Sequence, residues 1–447
     1  MNIRNRSDIC ATFTHNKEVF EYIYSSLTKD DKKVLEGLLA NTQNKEIAKA
    51  INCDPTNICH KLTKIANRFN YSKSNLNCTP REYLVQIFTQ HKPDMVSKEL
   101  IKDYSYYTIF LPDTPEEPDS PFYIERYQMP RCSVEYECYE AIERPGSLVR
   151  IKAPNKMGKT SLINQIQARA NEKNYISKGL NFDMLTEPSN VSSVNNFLKA
   201  FNKNLKGLFP NVPEKSDWDD NNPKISCTKD LKVLLLNLQK NLVLIFDEVD
   251  KIFEYPEITK AFCGMLRYWH EESKTVEVWK KLRIVIAYST EYYGTLDIYQ
   301  SPFNVGLQIQ LKEFTEKEVT KLICLHQLDP KIVNDLMSMV GGHPYLIRLA
   351  LYKISQEELT IEKLLKEAPT YTGIYRDYLS RHLEFLENRP KIKTVFQKIL
   401  KANNPVSFSN NHLEVRQLES MGLIKIKDNK AETRCQLHRK YFGDFLG

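Results

Sequence analysis

The segment Arg150–Leu162, with the sequence RIKAPNKMGKTSL, restricts the fold of this chain more than any other feature. An apolar run leads into a loop that ends in Gly158, Lys159 and Thr160, and an amphipathic pattern begins there. This pattern predicts a buried strand, a tight loop and a helix in succession. Its spacing is that of a phosphate-binding loop in which Ala153 stands at the position where glycine is usual. The simpler alternative is a Gly-Lys-Thr at an ordinary helix start.

Phosphate binding assigns a task to each residue type in this loop. Gly158 permits close approach of the backbone, Lys159 supplies positive charge to the β- and γ-phosphates, and the Thr160 hydroxyl would ligate Mg²⁺. Lys159 is therefore a candidate catalytic residue as well as a binding residue. The predicted cofactor-binding residues of the loop are Ala153, Pro154, Asn155, Lys156, Met157, Gly158, Lys159, Thr160 and Ser161.

A second apolar run, LVLIFDEVD, places two carboxylates at a predicted strand end. Ligands of open α/β sheets lie at the carboxyl ends of the strands. We therefore expect Asp247 to hold Mg²⁺ and Glu248 to act as the general base that polarises the attacking water. Asp250 is expected instead to cap the helix that follows.

Two further positions favour nucleotide sensing, and each has a plain structural alternative. The run KLRIVIAYST ends in Ser289 and Thr290, which fit a sensor of the γ-phosphate on the strand beside the loop, or simply the start of a turn. Pro344 follows two glycines and His343 at a predicted helix start, where it would pack on the adenine or serve only to begin the helix. Arg267 and Arg348 are candidates for a phosphate sensor or for an arginine finger that acts in trans. The alternative is that each is an ordinary surface or salt-bridged arginine.

The fold class that these patterns predict is an α/β P-loop NTPase core, a parallel sheet with helices on both faces, joined to helical modules. The buried strands are predicted at 147–153, 175–183, 241–250 and 281–290, separated by helices. The expected domains are a helix-turn-helix-like helical domain at 1–92, an acidic and Pro-rich linker at 93–121, the P-loop ATPase core at 122–312, a helical lid at 313–388 and a winged helix at 389–447.

Composition narrows the class of protein. The chain has 447 residues and a net charge of +7, and both ends are basic, with 14 Lys/Arg against 9 Asp/Glu in residues 1–92. No apolar run is long enough to span a bilayer, and the first residues lack the apolar core of a secretory signal. The ten Cys form no CxxC pair. We therefore expect a cytoplasmic protein with reduced thiols and no membrane partner.

With these motifs in place, the chain resembles the AAA-like domain family of P-loop ATPases common in cyanobacteria, related to the STAND and Orc/Cdc6-like ATPases. The runs that carry the resemblance include FYIER, LIFDEVDKIFEYPEI and GGHPYLIRLALY, in order along the chain. The resemblance implies ATP and Mg²⁺ as cofactors, and it implies that Tyr123, Glu125 and Arg126 line the adenine side. Two departures are Asn155-Lys156, where the family has Arg-Gln, and Tyr288, where it tends to have His.

Three functions fit these observations. The leading hypothesis is a slow, Mg-dependent ATPase that acts as a switch in bacterial signalling or conflict response, passes its output to an unknown protein effector and self-associates with ATP. The alternative is a DNA-binding AAA-type ATPase, a regulator or loader that uses its helix-turn-helix or winged helix. An adaptor with an inactive site is the third. The basic residues that would meet DNA phosphates are Lys61, Lys64, Arg68, Arg416, Lys425, Lys427 and Lys430.

Overall fold

The chain divides into two compact units, residues 1–111 and 112–447. The computed structural model describes residues 17–69, 71, 79–97, 100, 112–118, 120–129, 132–212, 218–289, 305–326, 328–356, 358–409 and 411–447. Helices and strands are numbered in chain order.

The described part of the first unit is a bundle of short amphipathic helices around one apolar core. Its helices are α1 (Lys17–Ser25), α2 (Lys29–Leu39), α3 (Asn44–Ala50), α4 (Thr56–Arg68) and α5 (Pro80–His91), followed by a 3-10 turn at Pro93–Met95. Helix α2 begins with a capping box. The Thr28 hydroxyl accepts a hydrogen bond from the Asp31 amide, and the Asp31 carboxylate accepts one from the Thr28 amide. Just before α4, Asp54 Oδ1 accepts a hydrogen bond from the Thr56 amide at 2.8 Å.

The second unit is built on a five-stranded parallel sheet. Its strands are β3 (Leu148–Ala153), β4 (Ile176–Asn181), β5 (Leu242–Asp247), β6 (Leu282–Ser289) and β7 (Leu307–Gln310), after a small antiparallel pair of β1 (Tyr127–Met129) and β2 (Cys132–Ser133). The spatial order is β4-β5-β6-β3-β7. All eight residues of β6 are buried, as expected for a central strand covered on both faces.

Helices cover both faces of this sheet. They are α6 (Val134–Glu143), α7 (Lys159–Glu172), α8 (Val194–Gly207), α9 (Pro223–Asn237) and α10 (Pro256–Glu272). Because side chains alternate along a strand, β5 sends Val243 and Ile245 into the core shared with α6 and α7. It sends Leu244 and Phe246 into the core shared with α8, α9 and α10. The predicted P-loop NTPase core is confirmed.

The remainder of the second unit is mainly helical and contains a small three-stranded sheet before its last helix. The elements are α11 (Glu316–Leu325), α12 (Val333–Val340), α13 (Pro344–Ser355), α14 (Ile361–Glu367), α15 (Arg376–Glu387), α16 (Pro390–Lys401), β8 (Val406–Ser407), α17 (His412–Ser420), β9 (Ile424–Lys427), β10 (Lys430–Thr433) and α18 (Gln436–Leu446). Strand β10 pairs antiparallel with β8 and β9. Asp428 and Asn429 both have positive φ, as a two-residue hairpin turn requires. The identity of residues 389–447 as a winged helix stays a prediction.

Two expectations about the sheet need correction. Strand β7 was not foreseen, and it forms one edge of the sheet beside β3. The strands that end in the loop and in Asp247 are not neighbours, because β6 lies between them. Residues 112–118, which lie within the predicted linker, cluster with the second unit and contact α7. The predicted domain bounds stay predictions.

Candidate nucleotide site

The loop between β3 and α7 has a backbone suited to an anion. Lys156 and Gly158 have φ of 60° and 87°, and left-handed residues in a turn direct successive N–H groups into one concavity. A Cβ on Gly158 would come within 2.9 Å of Arg126 Nη2, so both its φ and its surroundings favour glycine. Helix α7 begins at Lys159, and its N-terminal dipole adds positive potential at the loop.

Ala153 and Met157 anchor the loop in the protein core. Both side chains are buried in the apolar cluster between the sheet, α6 and α7. The methyl group at the usual glycine position is therefore accommodated by packing. Asn155 and Lys156 are exposed at the outer part of the loop.

Lys159 is folded against its own loop. Its side chain is buried, and Nζ donates to the carbonyl oxygens of Ala153 at 3.2 Å and Pro154 at 3.0 Å. An ammonium held in this way places its charge beside the N–H groups of the loop. It can neutralise phosphate oxygens that enter the concavity.

Thr160 and Asp247 meet although they are far apart in sequence. Thr160 Oγ1 donates to Asp247 Oδ2 at 3.0 Å. Helix α7 crosses from β3 over β6 to β5, which explains how residues of non-adjacent strands converge. Mg²⁺ binds oxygen ligands octahedrally at about 2.0–2.1 Å, so two neighbouring ligands lie about 2.9 Å apart. The hydroxyl and the carboxylate therefore have the chemistry and the spacing of two Mg²⁺ ligands, and these two residues would hold the ion.

Glu248 has an uncommon backbone conformation next to Asp247. Its φ and ψ are 56° and 36°, in the left-handed region, and its amide donates to Asp247 Oδ1 at 2.9 Å. Burial raises the pKa of Glu248; Lys251 opposes this increase and Asp247 adds to it. A carboxylate with a raised pKa is suited to general base catalysis, and left-handed non-glycine residues are frequent at functional sites.

Asp250 does not cap a helix, contrary to the expectation from sequence. It lies inside the 3-10 turn Val249–Ile252, and its Oδ1 accepts the backbone amide of Ser289 at 2.6 Å. Burial raises the pKa of Asp250, while this hydrogen bond and the charge of Lys159 lower it. Asp250 therefore joins the end of β6 to the acidic end of β5, close to Lys159.

Ser289 is placed where a γ-phosphate sensor is expected. It is buried at the end of β6, and its register partner on β3 is Ala153, where the loop begins. The second predicted sensor, Thr290, lies outside the described residues. Sensing by Ser289 stays a prediction.

Tyr123 and Arg126 are held at the loop by Glu135, which sequence reasoning missed. Tyr123 Oη donates to Glu135 Oε1 at 2.7 Å, and the Arg126 amide donates to Glu135 Oε2 at 3.2 Å. Arg126 Nη2 donates to the Met157 carbonyl at 2.6 Å. Burial, and then the charge of Glu135, raises the pKa of Tyr123 well above its usual value. Glu125 is exposed and accepts from Tyr127 Oη. Adenine contacts by Tyr123, Glu125 or Arg126 stay predictions.

The turn before α13 reaches the loop through Phe314. A Cβ on Gly342 would lie 2.0 Å from the Phe314 carbonyl oxygen, and the Phe314 amide donates to the Gly342 carbonyl at 2.8 Å. The Phe314 ring lies 5.0 Å from the Arg126 guanidinium. Pro344 is buried at the first turn of α13, and its predicted contact with adenine is not tested by these distances.

Arg348 is a salt-bridged arginine in this structure, as the plainer of the two interpretations predicts. It is only 5% exposed, and its Nε pairs with Glu116 Oε1 at 3.0 Å while Nη1 donates to His326 Nε2 at 2.7 Å. Its guanidinium also lies 4.1 Å from the Phe122 ring centre. These contacts bury the charge inside its own unit. Arg267 is exposed on α10, and its role stays a prediction.

Ser161 contacts residues that precede the core in sequence. Its hydroxyl is buried and accepts the Glu116 amide at 2.9 Å. The Ser161 side chain is thus engaged by the protein. A contact with nucleotide through its backbone amide stays a prediction.

The C-terminal elements also reach the loop. Gly422, in the turn after α17, is placed so that an added Cβ would lie 3.5 Å from Pro154 Cγ. Arg434 Nε pairs with Glu313 Oε1 at 2.7 Å, just before α11. The loop is therefore in contact with the C-terminal module as well as with the segment before α6.

This combination of fold and site is that of a P-loop ATPase. The AAA-like domain family matches residues 111–444, and the chain belongs to that family. Among solved structures, a Walker-type ATPase of Pyrococcus abyssi is similar with a TM-score of 0.50 at 13% identity, covering 72% of this chain and 100% of that chain. An ORC2 protein of Aeropyrum pernix gives 0.44 at 14% identity, covering 73% and 96%. The comparison with curated proteins gives no match.

Among the residues that the structure describes, no helix has the length and apolar character needed to cross a bilayer.

Proposed function

We propose that the chain binds ATP with Mg²⁺ between the loop at 153–161 and the acidic end of β5, and hydrolyses it slowly. The observation that carries this proposal is the 3.0 Å contact between Thr160 Oγ1 and Asp247 Oδ2, beside Lys159. It joins a phosphate loop and a metal-binding carboxylate at one point. The Walker-type ATPase with a similar fold supports it.

The residues divide the chemistry among them. Bound Mg²⁺ would neutralise charge on the β- and γ-phosphates. Lys159 and the N–H groups of the loop bind phosphate oxygens, and Thr160 and Asp247 hold the metal. Glu248 orients water and accepts its proton, which its raised pKa favours. Asp250 fixes the end of β6 through the Ser289 amide.

We propose further that nucleotide acts as a switch in signal transduction, as in STAND ATPases. The motivation is that C-terminal elements surround the loop. Gly422 lies beside Pro154 of the loop. Phe314 lies against Arg126, which binds the Met157 carbonyl of the loop. ATP would alter these contacts, change the exposed surface and favour self-association. The output would then pass to a partner protein in the cytoplasm.

Paired variants test binding and hydrolysis separately. Lys159→Ala removes a charged phosphate ligand and is expected to weaken ATP binding about a hundredfold. Glu248→Gln should retain binding and lower turnover by about a hundredfold or more. The control variants Lys224→Ala and Glu254→Gln make the same substitutions at exposed residues outside the site. Calorimetry and phosphate release are the assays; wild-type behaviour of both site variants would refute the proposal.

DNA binding through the first unit is the second candidate function. Lys64 is exposed on α4, the third helix of the predicted helix-turn-helix, whereas Arg68 is bound to Ser26 and Asp31. An exposed lysine on this helix could meet a phosphate backbone. Its test is described among the predictions.

A further inference from the structure

Residues 112–118, which we name the strap, are fastened to the helix that follows the phosphate loop. The Glu116 amide donates to Ser161 Oγ at 2.9 Å, and Asn164 Nδ2 donates to the Glu116 carbonyl at 3.1 Å. Gln165 Nε2 donates to the Pro118 carbonyl at 3.3 Å. Backbone groups of the strap thus bind the first two turns of α7, directly after Thr160.

Side chains of the strap bind a different helix, α13. Glu116 Oε1 accepts from Arg348 Nε at 3.0 Å, and Ser120 donates to the other carboxylate oxygen. A second link lies one turn earlier, where burial and then a hydrogen bond to Asp113 raise the pKa of the Tyr345 phenol. The Tyr345 ring also lies 4.8 Å from Lys156 Nζ of the loop.

The Glu116–Arg348 pair is buried, so its geometry matters more than that of a surface pair. The two side chains are 15% and 6% exposed. Arg348 also donates to His326 Nε2, and burial lowers the pKa of His326 to about 2, so this ring stays neutral. Glu116 is therefore the negative partner of a buried guanidinium, and a buried charge is held in place by its partner.

We propose that Glu116 is a positioning residue of the nucleotide site. Its backbone binds the first turn of α7, and its carboxylate binds α13. One residue outside the loop therefore fixes the position of the turn that follows the loop relative to α13. This inference rests on the proposed function. It adds that ATP affinity depends on a residue that precedes the core, near the start of the second unit.

The test uses the full chain and a double variant, Glu116→Gln with Arg348→Met, which removes both charges and leaves none unpaired. Hydrogen exchange of the nucleotide-free protein is measured first, on peptides covering 159–166 and 344–352. Loss of charge-assisted hydrogen bonds predicts exchange about tenfold faster in both peptides. Glu117→Gln makes the same substitution as Glu116→Gln at an exposed neighbouring residue and should leave exchange unchanged.

Nucleotide affinity is measured next on the same proteins. The double variant should bind ATP about tenfold more weakly, with kcat within about threefold of wild type, because the loop and the acids are intact. Unchanged exchange in either peptide overturns the inference, and so does faster exchange with unchanged ATP affinity. A wild-type chain that binds no ATP would refute the proposed function instead, while the exchange comparison still decides whether the strap joins the two helices.

Discussion

The two units differ in what they bury. Among the described residues of the first unit, Thr89 is the buried polar side chain, and its hydroxyl donates within its own helix to Val85. The second unit buries charged and titratable groups as well: Glu135, Arg150, Lys159, Arg283, His326, His343, Arg348, His382 and His438. A buried charge is tolerated only with fixed partners. Burying these groups costs the second unit free energy that a purely apolar core would not cost. Lys159 and Glu135 are two of these groups, and they lie at the candidate nucleotide site.

The largest expected difference between the units is their response to acid. Burial lowers the pKa of His382 to about 4 and of His438 to about 3, and it lowers that of His343 well below the usual value. In the unfolded chain these groups take up protons near pH 6.5, while the folded unit does not, so stability is lost as pH falls from 6.5 towards 4. Each group contributes up to about 1.4 kcal/mol per pH unit.

Urea unfolding monitored by hydrogen exchange at pH 7 and pH 5 measures this difference for each unit. The second unit should lose several kcal/mol between these values. The first unit should lose less, since none of its described histidines is buried. An equal loss in the two units would contradict the contrast.

Two glycines of the second unit, Gly342 and Gly264, differ in the space around them. Gly342→Ala would place a methyl group 2.0 Å from the Phe314 carbonyl and should destabilise the unit by about 3 kcal/mol or more. Gly264→Ala, on α10 with no atom within 4 Å, should stabilise it by about 0.5–1 kcal/mol. Thermal unfolding of both variants is the measurement. Similar melting temperatures for the two variants would mean that the turn at Gly342 can accommodate a methyl group, contrary to this prediction.

Asp250 offers a smaller and more specific effect. Asp250→Ala leaves the Ser289 amide without its acceptor, so we expect turnover to fall about tenfold while ATP affinity changes little. Steady-state phosphate release and equilibrium titration separate the two quantities. A weaker affinity with normal turnover would place Asp250 in binding instead.

The smallest expected effects concern DNA and the first unit. If α4 meets a phosphate backbone, Lys64→Ala should reduce the salt dependence of duplex binding by about one counterion. Arg68→Ala should change stability by less than about 1 kcal/mol, since its pair with Asp31 is partly exposed at 3.8 Å. Fluorescence anisotropy across a salt series is the assay. Absence of duplex binding by the wild type would remove this function.

Sequence patterns foresaw the elements that local chemistry determines. Helix α7 spans the residues expected from the run after Gly158, and the buried strands lie within one to three residues of the predicted ends. Continuous apolar runs and a rare glycine before Lys-Thr are strong local signals. Strand β7 was missed because it is short and only partly buried at the sheet edge.

The contacts that position the site could not be foreseen. Glu135 resembles an ordinary acidic residue in the first turn of a helix, and Glu116 one of several acids in a Pro-rich run. Their partners are distant in sequence: Arg348 lies 232 residues after Glu116. Such pairing depends on tertiary structure, and a single sequence carries no signal of it. The same reason explains why Asp250 was expected at a helix cap and why the sequence left two interpretations open for Arg348.

The central claim is that Thr160 and Asp247 share one metal ion with bound ATP, and the Mg²⁺ dependence of ATP affinity tests it most directly. Isothermal titration with Mg²⁺ and with EDTA should show tighter binding with Mg²⁺ in the wild type. Thr160→Ala and Asp247→Asn should lose most of that gain while their affinity in EDTA stays near the wild-type value. If both variants retained the full gain from Mg²⁺, the metal would be held elsewhere and the account would be wrong.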